Sequence, residues 1–298
     1  MKLKAWLHAA RLRTLPLSLS GIIVGSFAAY ANGFWDARIF TLAMLTTLFL
    51  QVLSNFANDL GDSYKGADNA YRVGPERAIQ SGQISQVAMG IAVVIMSLLS
   101  LGTAIPLIYI GTSEMLEEVL WTYVFLAIAC VLAAITYTMG KKAYGYLGLG
   151  DLMVFIFFGL VSVLGVYTLY AKTFDTSIIG LALTVGFLSV AVLNLNNMRD
   201  HENDANVGKN TLVVKIGFKN AKRYHTIIVL AAFVGLTTTL YLNEWWIGFI
   251  STAPFIILFL HLKKVWSTIE PKDLDPELKK VALSTFAISI LFLISTLL

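Results

Sequence analysis

The chain has 298 residues, of which 57% are hydrophobic and 13% are charged, and its mean hydropathy is +0.74. These values exclude an ordinary soluble domain and indicate an integral membrane protein. The net charge of +4 does not indicate a nucleic-acid partner, because no basic domain with interleaved aromatic residues accompanies it. The single cysteine, Cys130, lies inside an apolar segment, which excludes a disulfide framework.

The predicted elements begin with WLHAARLRTL, a basic amphipathic segment that predicts a short helix on the membrane surface. Nine apolar segments follow, each near the length of roughly 20 residues that a membrane helix needs. They cover about 15–31, 39–57, 87–108, 119–138, 147–170, 178–197, 225–242, 245–262 and 280–297. They are too long and too uniformly apolar for barrel strands. The sequence therefore predicts an all-α bundle of nine transmembrane helices, a single domain over residues 1–298.

The basic residues predict how the bundle is oriented. All of the 22 Lys and Arg residues except Arg38 and Lys172 fall at the N-terminus or in connections on one side of the predicted bundle. The positive-inside rule places that side in the cytoplasm and the C-terminus outside. Two long polar connections, about 58–86 and 198–224, then face the cytoplasm. We expect a multi-pass protein of the inner, cytoplasmic membrane.

Both long connections open with the same polar pattern. The first contains Asn55, Asp59 and Asp62, and the second contains Asn196, Asp200 and Asp204. Residues at these spacings share one face of a helix, and like charges there repel each other. Carboxylates close to a bilayer are costly unless a partner compensates them, so a cation is expected. Solvated helix ends are the alternative interpretation.

Magnesium fits this expectation, because it binds through one or two carboxylates together with substrate phosphates. Two acidic helix ends that face each other would hold such ions, bridged by a diphosphate. Basic residues interspersed among the acids would neutralise the remaining phosphate charge. These are Lys65, Arg72, Arg77, Arg199 and Lys209.

At these motifs the chain resembles the membrane-embedded aromatic prenyltransferases of the UbiA superfamily. The family motif Asn-Asp-x-x-Asp after the second span reads NDLGD here (58–62), and Asp-x-x-x-Asp after the sixth span reads DHEND (200–204). The longer stretches RVGPERAIQSGQIS, NNMRDHENDANVGKNTLVVKIG and RLRTLPLS are similar to the 1,4-dihydroxy-2-naphthoate prenyltransferase branch of menaquinone synthesis. Leu12 stands where a proline is common in that branch.

The resemblance implies that Mg²⁺ grips the diphosphate of an allylic polyprenyl diphosphate and acts as a Lewis acid on that leaving group. The implied metal ligands are Asn58, Asp59, Asp62, Asp200 and Asp204. An electron-rich naphthoate ring then attacks the allylic cation, and loss of CO₂ and a proton restores aromaticity. The predicted catalytic residues are Asp59, Asp62, Asp200, Asp204, Asp151 and Tyr137. The predicted substrate-binding residues are Arg13, Asn55, Lys65, Asp68, Arg72, Arg77, Lys141, Tyr144, Arg199 and Lys209.

Aromatic faces are expected to stabilise the allylic cation. Tyr137, Tyr144, Phe155 and Phe158 are the candidates, although such residues are also common as lipid-facing or helix-packing bulk. Asp151, just inside the fifth span, is a candidate partner or base. Stabilisation by the helix dipole explains the same position equally well.

Two other functions remain open from the sequence. One is prenyl transfer to a different acceptor, such as 4-hydroxybenzoate, homogentisate or a porphyrin. The other is secondary transport, because acidic residues in helical repeats also mark ion pathways. Transporters place their charges near the membrane midplane, however, whereas these acids lie at helix ends. The sequence does not indicate the length of the prenyl chain.

Overall fold

A computed structural model describes residues 2–67, 73–74 and 76–298. In chain order the main helices are α1 (Lys2–Ala10), α2 (Leu15–Ala31), α3 (Ala37–Lys65), α4 (Gln86–Gly111), α5 (Glu117–Thr136), α6 (Gly150–Ala171), α7 (Ile179–Asn206), α8 (Phe218–Leu242), α9 (Phe255–Ser267) and α10 (Asp275–Leu297). Over the described part of the chain, nine helical segments are long and apolar enough to cross a membrane. The predicted all-α class and the predicted number of spans are confirmed.

The two acidic helices continue past the ends of the predicted apolar spans. Those spans end at 57 and 197, whereas α3 continues to Lys65 and α7 to Asn206. Each helix ends close to a glycine with positive φ, Gly66 at 69° and Gly208 at 73°, a conformation that glycine adopts at little cost. The acidic motifs therefore lie on helical turns, as the spacing of the acids predicted.

Burial separates central helices from peripheral ones. In α2 and α7 about two thirds of the apolar window is buried (67% in each), whereas in α5 only 11% is buried. A large cluster of buried side chains unites α2, α6, α7, α8 and α10, and a second cluster unites α1 with α3 and α4. The end of α3 belongs to the second cluster and the end of α7 to the first, and a small third cluster of Ala67, Ala143 and Tyr146, with Val207 packed against it, links the two ends.

The chain around Thr138, just after α5, packs closely against the acidic end of α3. A Cβ on Gly61 of the NDLGD motif would lie 2.8 Å from the carbonyl carbon of Thr138. Thr138 is therefore able to contact α3 only because Gly61 has no side chain. The Thr138 hydroxyl donates to the Ala57 carbonyl at 3.1 Å. These contacts fix Tyr137, the preceding residue, beside the acidic end of α3.

Candidate active site

The four aspartates of the two motifs, Asp59, Asp62, Asp200 and Asp204, are drawn into the interior at one end of the bundle. The side chains are almost fully buried, with relative exposures of 1% for Asp59, 5% for Asp62, 6% for Asp200 and 4% for Asp204. Ionised carboxylates are buried only where charges or hydrogen bonds compensate them. The contacts of each acid therefore indicate which charges compensate it.

Asp59 is held by two arginines from different parts of the chain. Arg11, between α1 and α2, donates to its Oδ1 atom, and Arg77 Nη1 donates to the same atom at 2.6 Å. Two guanidinium groups therefore compensate the charge of this buried carboxylate. Asp59 thus fixes two cations at the site, in positions suited to an anionic ligand.

Asp62, one helical turn further along α3, contacts a different set of groups. The Tyr146 hydroxyl donates to its Oδ1 atom at 2.9 Å, and Arg77 Nη2 lies 3.9 Å from Oδ2. Lys65 lies over the Tyr146 ring, with Nζ 3.9 Å from the ring centroid, in a cation–π geometry. Tyr146 thereby connects a predicted metal ligand with a predicted phosphate-binding lysine.

Asp200 forms a buried pair with its neighbour Arg199. Arg199 donates from Nε to Oδ1 at 2.9 Å and from Nη2 to Oδ2 at 2.6 Å, a bidentate arrangement. The same guanidinium donates to Asp275 at the start of α10, at 2.5 Å, and to Asn196 at 2.8 Å. Arg199, which the sequence assigned to phosphate, is therefore committed to acidic and amide partners in this structure.

Asp204 is the least compensated acid of the four. Lys209 Nζ lies 3.6 Å from its Oδ1 atom, while Oδ2 is buried and has no hydrogen-bond partner among the described residues. The negative charges of Asp200 and Asp62 act on it unfavourably. A buried carboxylate oxygen without a donor, near two other carboxylates, is the kind of group that a cation would stabilise.

These groups surround a small polar cavity of about 20 Å³, lined by Asp62, Ala67, Arg77, Asn196, Asp200, Asn203, Asp204 and Lys209. The donors are carboxylate and amide oxygens, which Mg²⁺ prefers. Among the described residues, no three His, Cys, Asp or Glu side chains are already arranged as a metal site, in keeping with acids that are paired with arginine and lysine. The residues present fit an ion that takes one or two carboxylates and completes its shell with phosphate oxygens.

A second, much larger cavity of about 1050 Å³ adjoins the polar one, and Asp62, Arg77, Asn196 and Lys209 line both. Its polar end also includes Arg11, Arg13, Asn58 and Asp59. From there it continues among apolar side chains of α2 to α6, including Leu50, Ala104, Ala127, Phe158 and Val161. One cavity thus joins a charged end to a long apolar interior.

Tyr137 and Tyr144 line this large cavity near its polar end. Their rings meet edge to face, with centroids 5.3 Å apart. Burial raises the pKa of Tyr137, and the negative charges of Asp62, Asp151 and Asp204 raise it further. Burial likewise raises the pKa of Tyr144, whose hydroxyl donates to the Ala133 carbonyl at 2.9 Å. Both phenols therefore stay neutral, and both rings line the cavity.

Three further predicted residues differ in their contact with the cavities. Asn55 lines the large cavity, and its amide donates to the Ala10 carbonyl at 2.9 Å and anchors the end of α1. Lys141 is exposed and lines neither cavity. Asp151 is buried, interacts with the Tyr224 hydroxyl and also lines neither cavity. The catalytic role of Asp151 and the substrate-binding role of Lys141 stay predictions.

The remaining predicted residues divide in the same way. Phe158 lines the large cavity, whereas Phe155 packs on Phe187 with ring centroids 4.9 Å apart. The expectation that Phe155 faces the reacting cation is not supported, because α7 covers its ring. Asp68 and Arg72 lie outside the described residues.

Sequence reasoning missed three residues that the fold brings to the site: Arg11, Tyr146 and Asp275. Arg11 was counted only as a basic residue of the N-terminus, Tyr146 stands within TYTMGKKAYGY without a role, and Asp275 lies 76 positions from the arginine it contacts. The RLRTLPLS resemblance was the one available signal, and it pointed to the neighbouring Arg13. The contacts of Tyr146 and Asp275 depend on tertiary structure, and no local pattern marks them.

Helical membrane architecture, buried acids and a cavity that is charged at one end and apolar at the other define a class of enzyme that acts on amphiphilic substrates. The model of the UbiA prenyltransferase family matches residues 18–291, and the chain belongs to this family. It is 42% identical to the 1,4-dihydroxy-2-naphthoate octaprenyltransferase of Haemophilus influenzae, over 98% of this chain and 95% of that protein. It is 37% identical to the enzyme of the same name from Escherichia coli, over 98% and 94%.

Solved structures show the same fold at low sequence identity. A UbiA homolog from Archaeoglobus fulgidus bound to GPP and Mg²⁺ superposes with a TM-score of 0.65 and 16% identity, covering 98% of each chain. The same homolog bound to DMAPP and Mg²⁺ gives 0.63 and 17%, again covering 98% of each chain. The helical arrangement is therefore that of the family over nearly the whole chain.

Proposed function

We propose that this protein transfers a polyprenyl group from an allylic polyprenyl diphosphate to 1,4-dihydroxy-2-naphthoate. Diphosphate and CO₂ are released, and the product is demethylmenaquinone in its reduced form. The observation that carries the reaction type is the joining of the acidic and basic site to a long apolar cavity. The acceptor is assigned from the relatives that carry this name at 42% and 37% identity.

The two ends of the cavity suit the two parts of the donor. Arg11, Arg77 and Lys209 line the polar end and supply positive charge for the diphosphate. The apolar interior suits an isoprenoid tail, because burial of each CH₂ group contributes about 0.8 kcal/mol. One substrate therefore occupies both regions with its reactive allylic carbon at the boundary, near Tyr137.

Asp62, Asp200 and Asp204, with amide oxygens of Asn58 and Asn196, are the residues that would hold Mg²⁺. When bound, the metal supplies Lewis-acid stabilisation of the departing diphosphate. Arg199 orients Asp200 through its bidentate contact, and Tyr146 orients Asp62. Asp59 acts indirectly, because it holds the side chains of Arg11 and Arg77 in position.

The reaction breaks the bond between the allylic carbon and the diphosphate oxygen, and the electron pair leaves with diphosphate. Electrons of the naphthoate ring form the new carbon–carbon bond. The bond to the carboxyl carbon then breaks as CO₂ leaves, and its electrons return to the ring. Tyr137, Tyr144 and Phe158 present aromatic faces that stabilise the allylic cation, and the buried cavity limits access of water to that cation.

We further propose that the site faces the cytoplasm in a bacterial inner membrane. Nearly all basic residues lie on the side of the acidic helix ends, as the positive-inside rule requires for a cytoplasmic face. A charged diphosphate and a naphthoate made in the cytoplasm would then reach the site without crossing the bilayer.

The test is reconstitution of the purified protein in lipid with an allylic diphosphate, Mg²⁺ and one acceptor at a time. Prenylation of 1,4-dihydroxy-2-naphthoate gives a hydroquinone product whose mass equals acceptor plus prenyl group minus CO₂ and one hydrogen. A product from 4-hydroxybenzoate that retains its carboxyl group, with no product from the naphthoate, would assign the alternative acceptor. If no acceptor is prenylated while a substrate accumulates inside the vesicles, the protein is a transporter.

A further inference from the structure

The large cavity contains a structural feature that its apolar lining alone does not explain. Away from the polar end, it continues between α5 and α6. Tyr123, Ala127 and Cys130 line it from α5 at helical spacing, and Val161 and Gly165 line it from α6. A tail that enters from the polar end therefore runs between these two helices.

Buried core side chains line the far end of the cavity. Ala43, Leu107 and Leu169 line it there and are only 1%, 7% and 2% exposed. A tail long enough to reach this floor has to turn aside to continue. Over the described residues, the peripheral helix α5 packs on α3 and α4 but makes no extensive packing contact with α6. A long tail therefore breaks the fewest helix–helix contacts if it continues between α5 and α6.

A hydrogen bond crosses this gap. The Tyr123 hydroxyl of α5 donates to the Gly165 carbonyl of α6 at 2.8 Å. Gly165 ends a stretch of π-helix, Phe155–Gly165, a rare conformation that is frequent at functional sites. The side chain of Tyr123 thus lies across the route that a long tail has to take.

Helix geometry gives the position of this crossing. Tyr123 precedes Tyr137 by 14 positions, which at 1.5 Å per residue is about 21 Å from the polar end. One isoprene unit spans four carbon–carbon bonds of about 1.5 Å and advances about 5 Å along an extended chain. About four isoprene units therefore fit between the reactive carbon and Tyr123.

We propose that Tyr123 is a specificity-determining residue for the length of the prenyl tail. This inference rests on the proposed prenyl transfer. Tails of up to about four units bind without disturbing the contact between Tyr123 and Gly165. Longer tails displace the Tyr123 hydroxyl from the Gly165 carbonyl and pass between α5 and α6. Binding of a longer tail therefore costs the free energy of that hydrogen bond.

The experiment compares kcat/KM for an eight-unit and a two-unit allylic diphosphate in wild type, Tyr123→Phe and Tyr123→Ala. The ratio of the two values cancels any change in the amount of folded enzyme. Loss of one hydrogen bond in Tyr123→Phe is expected to raise the long-to-short ratio about two- to tenfold, and Tyr123→Ala is expected to raise it further. Tyr109→Phe, on the exposed surface of α4, is the matched control and leaves the ratio unchanged.

A ratio within twofold of wild type in both Tyr123 variants, or a lower ratio, would overturn the proposal. A wild-type protein that prenylates no acceptor would instead refute the proposed function. In that case, competition between long and short diphosphate analogues for binding still measures tail preference. The same rise in preference for the long analogue in Tyr123→Phe is then required.

Discussion

Replacement of Asp204 by asparagine distinguishes the effect of this buried acid on folding stability from its effect on catalysis. Asp204 is 4% exposed, and one of its carboxylate oxygens is buried with no hydrogen-bond partner in the part of the chain that the structure describes. In the absence of substrate the acid carries a desolvation cost and repulsion from Asp62 and Asp200. Against this it gains a 3.6 Å contact with Lys209. An asparagine side chain at this position keeps the shape and removes the charge.

The opposing terms predict a small effect on stability and a large effect on turnover. Relief of repulsion offsets loss of the lysine contact, so the free energy of unfolding is expected to change by about 1 kcal/mol or less, about 2 °C in melting temperature. Removal of one electrostatic stabiliser of a developing charge typically costs about 10²–10³-fold in kcat, about 2.7–4 kcal/mol. Asp204→Asn is expected to show this loss.

The assays are thermal unfolding in detergent, turnover, and titration of a non-hydrolysable allylic diphosphate analogue with and without Mg²⁺. In wild type, Mg²⁺ and the analogue are expected to raise each other's affinity by the same factor, as linkage requires, and in Asp204→Asn this factor falls. Glu202→Gln is the matched control, because it removes one negative charge two residues away on the exposed side of α7. Turnover of Asp204→Asn within tenfold of wild type, about 1.4 kcal/mol, would refute the metal-binding role.

Three further predictions test the surroundings of the site. Tyr146→Phe removes the hydroxyl that donates to Asp62 and is expected to lower kcat about tenfold while costing about 1 kcal/mol of stability; unchanged turnover would contradict the orienting role. Asp151→Asn is expected to lower turnover less than about tenfold, because this carboxyl lines neither cavity. A loss of about 10²-fold or more in the same assay would instead support Asp151 as the catalytic base. A cysteine introduced at Lys219, in a cysteine-free background, is expected to react with a membrane-impermeant thiol reagent only after permeabilisation, whereas one introduced at Ser113 reacts in intact cells; the reverse pattern would invert the topology.

The way the acids are compensated distinguishes this site from a rigid metal cage. In the structure Arg199 forms an ion pair with Asp200, and Arg77 forms one with Asp59. Mg²⁺ also gives up its bound water reluctantly. The diphosphate brings further oxygen ligands, so ion and substrate are expected to assemble together. The arginine and lysine contacts keep the acids oriented until that happens.

The sequence by itself determined the class of the fold and the chemistry of the site. Apolar segments of membrane-spanning length leave no choice but helices, because a backbone in lipid has to satisfy its own hydrogen bonds. Acids spaced by one helical turn, Asp59 with Asp62 and Asp200 with Asp204, were enough to predict two polar faces. Local spacing is visible in the sequence since helix geometry converts it directly into a shared face.

Tertiary structure alone decided which partners those acids have. Arg11 reaches Asp59 across 48 positions, Tyr146 reaches Asp62 across 84 and Asp275 reaches Arg199 across 76. Contacts at such separations depend on how helices pack, and many packings satisfy the same apolar pattern. Packing also removed Phe155 from the cavity and placed Tyr123 across it, because the direction in which a side chain points on a uniformly apolar helix is set by its neighbours and not by its own sequence.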